Sequence, residues 1–183
     1  TPNVLSYDID TISTNFINGK ICKNFDLICD TIQTFKENEP KNFVDFSTYI
    51  NRIKKHLDNN KDIISGNFLI DKLKKITVPS TFNHGDFSVF NIIDFNNNIY
   101  LIDPIFSEDL FQSYYIDIAK HLFSILYYLF DYELYEHFYS QYVNKFYLTE
   151  EILNVLIASE SIRVANRNNK FYSVSNNLID SLR

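Results

Sequence analysis

The 183-residue chain has no tryptophan, no methionine, three glycines and two cysteines, and each shortage narrows what it can be. Cys22 and Cys29 are predicted to share one helix, where their spacing at about 1.5 Å per residue sets them roughly 10 Å apart. A disulfide needs Cα atoms within about 7 Å, so both are read as buried thiols of a reducing compartment. No run of about 18 apolar residues is present to cross a bilayer, the tract 122–130 being too short, and no signal peptide is recognisable. The expected setting is cytoplasmic, with no membrane partner. The missing initiator methionine suggests that the sequence begins inside a longer product. Positive charge is scarce as well: 17 Lys and Arg face 23 Asp and Glu, for a net charge of −6. Nucleic acid and anionic membranes both demand clustered Lys and Arg, so neither is an expected partner. An acidic surface would suit a cationic substrate. Four scattered histidines are too few for a metal-dependent phosphoesterase.

What is present is apolar and aromatic. Seventeen Phe and 13 Tyr contribute to a hydrophobic content of 45% against 22% charged, which excludes a disordered chain. This length buries a real core and is most simply one domain. No internal repeat, linker or low-complexity tract divides it.

The stretch from Phe82 to Asp103, FNHGDFSVFNIIDFNNNIYLID, concentrates the chemistry. Residues 91–95 and 99–102 are apolar and β-branched and are predicted to pair as a hairpin across Asn96, Asn97 and Asn98. Pairing brings Asn91 and Asp103 together at the open end. His84, Gly85 and Asp86 sit just ahead, in a loop at the same end. A hard cation such as Mg²⁺ takes oxygen ligands, with only one or two carboxylates from the protein, and Asn91 and Asp103 supply that. Asp86 is then left to accept a proton from a hydroxyl nucleophile. Phosphoryl transfer asks little more than in-line positioning, an orienting carboxylate and metal to spread charge.

The pattern His84-x-Asp86-x-x-x-x-Asn91, followed after a hairpin by Ile102-Asp103, resembles the catalytic loop and metal-binding aspartate of the aminoglycoside phosphotransferase and choline kinase family, relatives of protein kinases. The resemblance implies a mostly α (α+β) fold, a kinase-like C-terminal lobe that is helical with a catalytic β-hairpin. It implies Asp86 as catalytic base, Asn91 and Asp103 as Mg²⁺ ligands, and His84 as support for the loop. Asp117, opening a later helix, resembles the buried aspartate that braces the loop in that family. ATP would be the phosphoryl donor, and a small-molecule hydroxyl the acceptor: an amino alcohol, an aminoglycoside or another sugar. The segment around Phe16 and Ile17, before the Asn18-Gly19 turn, resembles the interlobe hinge where backbone groups meet adenine. Phe90 before Asn91 and Pro104 after Asp103 depart from the family pattern. So does the lack of room before Thr14 for a phosphate-covering loop and nucleotide lysine. Residues 1–19 are accordingly read as remnant strands and hinge, and 20–183 as the helical catalytic lobe. Without an N-terminal lobe this chain alone is expected to be inactive, and to self-associate through the uncovered lobe face. The alternative is a non-catalytic kinase-like fragment or pseudokinase binding module.

Along the rest of the chain, apolar spacing predicts helices from Ile21 to before Pro40, over 43–57, and over 62–76 with a bend near Gly66. Further helices are expected over 114–132 and 133–147, from Thr149 as N-cap to about Arg167, and over 171–182. Glu108, Asp109 and Asp131 are acids that could meet an amine.

Overall fold

The computed structural model describes residues 17–37, 46–59, 63, 65–105, 113–165 and 172–183, together with the backbone of 4–7 and 12–14. Two strands, β1 (Val4–Tyr7) and β2 (Ile12–Thr14), pair antiparallel as a separate ribbon. A three-stranded antiparallel sheet is built from β3 (Lys20–Ile21), β4 (Ile92–Phe95) and β5 (Asn98–Leu101), in that order. The rest of the described chain is mainly helical, in accord with the expected α+β class.

The hairpin forms where predicted, but with a tighter turn. Phe95 pairs with Asn98, leaving Asn96 and Asn97 alone at the tip with φ of 53° and 59°. Two consecutive positive φ angles make the turn whose twist matches paired strands, and asparagine tolerates them. Asn98 therefore begins β5 instead of ending the turn.

The first helix starts later than its apolar spacing suggests. Lys20 and Ile21 pair with Asp94 and Ile93 as an edge strand, and the Cys22 N–H continues the ladder to Ile92 O at 2.9 Å. Gly19 permits this approach, since a Cβ there would lie 2.4 Å from Ile93 Cγ2 and 2.6 Å from Asp94 O. Helix α1 (Phe25–Glu37) begins only after Asn24, whose Oδ1 accepts the N–H groups of Asp26 and Leu27 at 3.1 and 3.3 Å. Cys22 thus lies just past β3 and Cys29 within α1, not on one helix, and both are buried and free. Burial pushes the Cys29 thiol up to about 12, which leaves it unreactive.

Helix α2 (Ser47–Asp58) buries Tyr49, Ile50 and Ile53, and α3 (Gly66–Leu73) buries Leu69, Ile70 and Leu73. Gly66 opens α3 and does not bend it; its Cα side faces Leu57, only 2.7 Å from where a Cβ would stand. The predicted continuous helix over 114–132 is divided. Helix α4 (Tyr114–Ser124) passes into a π-helical turn, Ile125–Leu129, which ends at Phe130 with φ 52°. Asp131 then caps α5 (Tyr132–Phe146), its side chain accepting the Leu134 N–H at 3.0 Å. That capping role accounts for Asp131, one of the acids considered for an amine; Glu108 and Asp109 lie outside the described residues.

Helix α6 (Glu150–Ala165) is the hub, packing against α4, against α7 (Tyr172–Asp180), and against α2 and α3. Because it is surrounded, it shows no single apolar stripe, and its buried run from Val155 to Ile162 includes Ser159, Glu160 and Ser161. Helix α4 is buried almost all round, and its polar residues are what hold the candidate site. Among the described residues no helix is long and apolar enough to cross a membrane.

Candidate active site

Four polar residues of α4, Asp117, Lys120, His121 and Ser124, are buried. Their spacing of i, i+3, i+4 and i+7 places them on one face, as a polar stripe on an otherwise apolar helix. This stripe meets the loop from His84 to Val89. Asp117 Oδ2 accepts the His84 N–H at 2.6 Å, and Oδ1 accepts the Gly85 N–H at 3.1 Å. Gly85 has φ 78°, the left-handed conformation that lets successive amides turn toward one carboxylate. Lys120 Nζ donates to Gly85 O at 2.8 Å and pairs with Asp86 Oδ1 at 2.8 Å. Ser124 Oγ accepts the Val89 N–H at 2.9 Å and donates to His121 O. The His121 ring packs against Phe87, and its Nδ1 meets the Tyr142 hydroxyl at 2.8 Å.

The loop closes on itself through Asn91. A 3₁₀ turn, Val89–Asn91, follows the Ser88 N–H bond to Asp86 O, and Asn91 Nδ2 donates to Asp86 O at 2.8 Å and to Oδ2 at 3.0 Å. Both carboxylate oxygens of Asp86 are therefore engaged, one by Lys120 and one by Asn91. Each still has lone-pair capacity, and the side chain is 35% exposed. Burial raises the Asp86 carboxyl, but the charge and hydrogen bond of Lys120, the charge of Arg163 and the Asn91 bond outweigh it and hold it below the usual carboxylate range. Asp117 has the opposite outcome. Complete burial pushes it up to about 7, only partly offset by the two backbone N–H groups.

Asp103 comes to the same end through the backbone. The Ile102 N–H bonds Asn91 O at 3.1 Å, and the Ile105 N–H bonds His84 O at 3.0 Å, so the chain leaving β5 is tied to both ends of the loop. Asp103 lies between these bonds, exposed, with φ 52°. A residue before proline is normally extended, and such outliers concentrate at functional sites. Asn91 spends its amide nitrogen on Asp86, which leaves its oxygen available to a cation beside Asp103. Among the described residues no three His, Cys, Asp or Glu side chains converge on a metal cage. Magnesium does not need one, and the pair of oxygen donors fits its habit of keeping water and phosphate ligands.

No family model, curated protein or solved structure matches this chain.

His84 acts through its backbone. Its ring is buried against Phe87, and neither ring nitrogen reaches hydrogen-bonding geometry. Burial lowers its pKa despite the raising influence of the Asp86 charge and of the backbone at Asp86 and Ile102. Phe16 lies outside the described residues. Ile17 is half-buried just ahead of β3, a strand that pairs with β4 and not with the loop.

Asp86 also lines a cleft of about 190 Å³ between α4, the π-helical turn and α6. Sequence reasoning missed its other walls. Glu160 is fully buried, accepting from Tyr49 at 3.0 Å and from Arg163 at 2.6 Å. Burial raises its carboxyl, yet the charges of Arg163 and Lys120 and the Tyr49 bond hold it low and ionised. Lys120 went unrecognised for the same reason: a lysine or glutamate in a helix normally reads as solvent-facing. The available signal was the clustering of 117, 120, 121 and 124 on one face of a helix too apolar to have a wet side.

Proposed function

We propose that this chain carries the catalytic half of a phosphotransferase acting on a hydroxyl of a small molecule, with ATP as donor and Mg²⁺ as cofactor. The observation that carries the reading is Asp86, held between Lys120 and Asn91 in the lining of a cleft, with Asp103 brought to the same end by the hairpin register. A base must stay ionised to receive a proton, and Lys120 favours that form. The Asp117 brace fixes the loop from beneath, so that Asp86 is oriented before any ligand arrives. Asn91 and Asp103 would hold the metal, which supplies charge neutralisation for the transferred phosphoryl group when bound. The kinase-like lobe belongs to this proposal and rests on the His84-x-Asp86-x-x-x-x-Asn91 pattern together with this geometry.

A second reading, a non-catalytic binding module, is favoured by the contacts of Asp86, since each of its oxygens already has one partner. The two readings separate in an ATP-consumption assay with Mg²⁺ and polyol or sugar acceptors. It is run on this chain and on any longer gene product that contains it, each beside Asp86→Asn. Turnover that falls by about 10²- to 10⁴-fold in the variant supports the base role. Turnover indifferent to Asp86, or none in any form, favours the binding module.

A further inference from the structure

The cleft beside Asp86 also bears on which acceptor enters it. The net charge of −6 suggests a cationic substrate, but the cleft lining is different from the surface as a whole. Two carboxylates line it, and each already faces a cation: Asp86 faces Lys120, with Asn91 on its other oxygen, and Glu160 faces Arg163, with Tyr49 on its other oxygen. An ammonium group entering here would have to share each acid with a lysine or arginine already paired to it. Cationic side chains outnumber carboxylates in the lining by three to two. Lys120 has three N–H groups and uses two, on Gly85 O and Asp86 Oδ1. Arg163 has five and directs one to Glu160 Oε2. Arg52 adds a third cationic side chain to the lining. On the facing side Tyr127 and Tyr128 stand on the π-helical turn, a distortion that recurs at functional sites because it redirects side chains.

We propose that the acceptor is a small hydroxyl compound carrying an anionic group, a carboxylate or a phosphate, held by Arg163 and Lys120 while its hydroxyl meets Asp86. The inference rests on the phosphotransferase reading for the role of the hydroxyl, and on the cleft alone for the anion. Planar guanidinium and ammonium donors in a partly dry site are the groups that bind such oxyanions best. The Glu160 partner keeps Arg163 in place without consuming its remaining donors. The cleft volume of about 190 Å³ suits a short sugar acid or polyol phosphate. Amino alcohols and aminoglycosides, which the sequence resemblance implies, are disfavoured by the same accounting.

The test is a titration of the ¹⁵N-labelled chain without nucleotide or metal, so that it stands apart from catalysis. Glycerol 3-phosphate and glycerate serve as the phosphate and carboxylate probes, with glycerol and choline as the uncharged and cationic controls. Saturable shifts at the Ser88, Ser124 and Val164 amides with either anion, at least tenfold tighter than glycerol, are expected, with none from choline. Arg163→Met alone leaves Glu160 buried without its counter-ion, so the double variant Arg163→Met, Glu160→Gln is used and is expected to weaken anion binding at least tenfold. Choline binding at these amides, equal affinity for glycerol and the anions, no anion response, or an unaffected double variant would each overturn the proposal. Asp86→Asn separates the two readings: anion binding that persists there while turnover is lost leaves both intact, and anion binding that never occurs overturns this inference without touching the role of Asp86.

Discussion

Replacing Lys120 with methionine tests the electrostatic centre of the site without requiring a substrate. Lys120 is 8% exposed and holds Gly85 O and Asp86 Oδ1, each at 2.8 Å. Methionine keeps most of the stem's volume, so packing changes little and the charge is what is lost. Removing one partner of a fully buried pair costs about 3–5 kcal/mol. Asp86, however, is 35% exposed, so water can take up the vacated contact and the loss is smaller. The expected cost is about 1–3 kcal/mol, a fall in urea midpoint of roughly 0.5–1.5 M for a slope near 2 kcal/mol per M. Its pH dependence has a definite sign. The folded Asp86 carboxyl lies below its ordinary value, so its contribution is present above about pH 4, the unfolded value, and is lost as pH falls through the lower folded one. The gap between wild type and Lys120→Met should therefore be full near neutral pH and narrow in acid, down to the part carried by the Lys120 bond to Gly85 O. Carbon-13 NMR titration of the Asp86 carboxyl, with urea unfolding near neutrality and near pH 3, measures both effects. An Asp86 titration identical in the two proteins would refute the argument, as would a stability gap that does not narrow at all as pH falls.

Burial pushes His121 down to about 3 and also lowers His84, while unfolded histidine titrates near 6.5. Depressed folded values mean stability that is present above about 6.5 and lost as pH falls below it, by up to about 1.4 kcal/mol per pH unit for each histidine. The double variant His121→Phe, Tyr142→Phe, which removes the buried hydrogen bond as a unit, should flatten that slope by one proton, and unfolding midpoints from neutral to acid pH would reveal a slope left unchanged. Gly19→Ala forces a Cβ to within 2.4 Å of Ile93 Cγ2 and 2.6 Å of Asp94 O. It should cost about 1–3 kcal/mol and speed hydrogen exchange at the Cys22 amide; normal exchange there would show that β3 adapts freely. Asp103→Ala should weaken Mg-nucleotide binding more than Asn91→Ala, because a carboxylate brings a full charge to the metal and an amide does not. Titration of both variants with Mg-ATP decides it, and equal losses remove the ranking.

The hairpin was legible because β-branched residues flank a run of asparagines; Asp86 and Asn91 were singled out by their spacing from it, and Asp117 only by the motif resemblance. A two-residue strand such as β3 has no periodicity of its own, so Ile21 was absorbed into the apolar stripe of α1. The π-helical turn was equally hidden: Ile125 to Leu129 is as apolar as α4, and only the cap at Asp131 marks the break. Lys120, Glu160 and Arg163 escaped because charged helix residues are normally wet. Net charge, a sum over the surface, says nothing about which acids are already paired inside the cleft.

The contacts from α4 to the loop join segments 32–35 positions apart, and they end on backbone amides at three successive points, His84, Gly85 and Val89. The loop consequently has little freedom to open as a separate unit. Its amides should exchange with solvent at the rate set by α4, which is packed against α6, and more slowly than those at the hairpin tip. A ligand gripping Asp86 would by the same coupling slow exchange deep in the α4–α6 core, so occupancy of the site can be followed from residues that never touch the ligand.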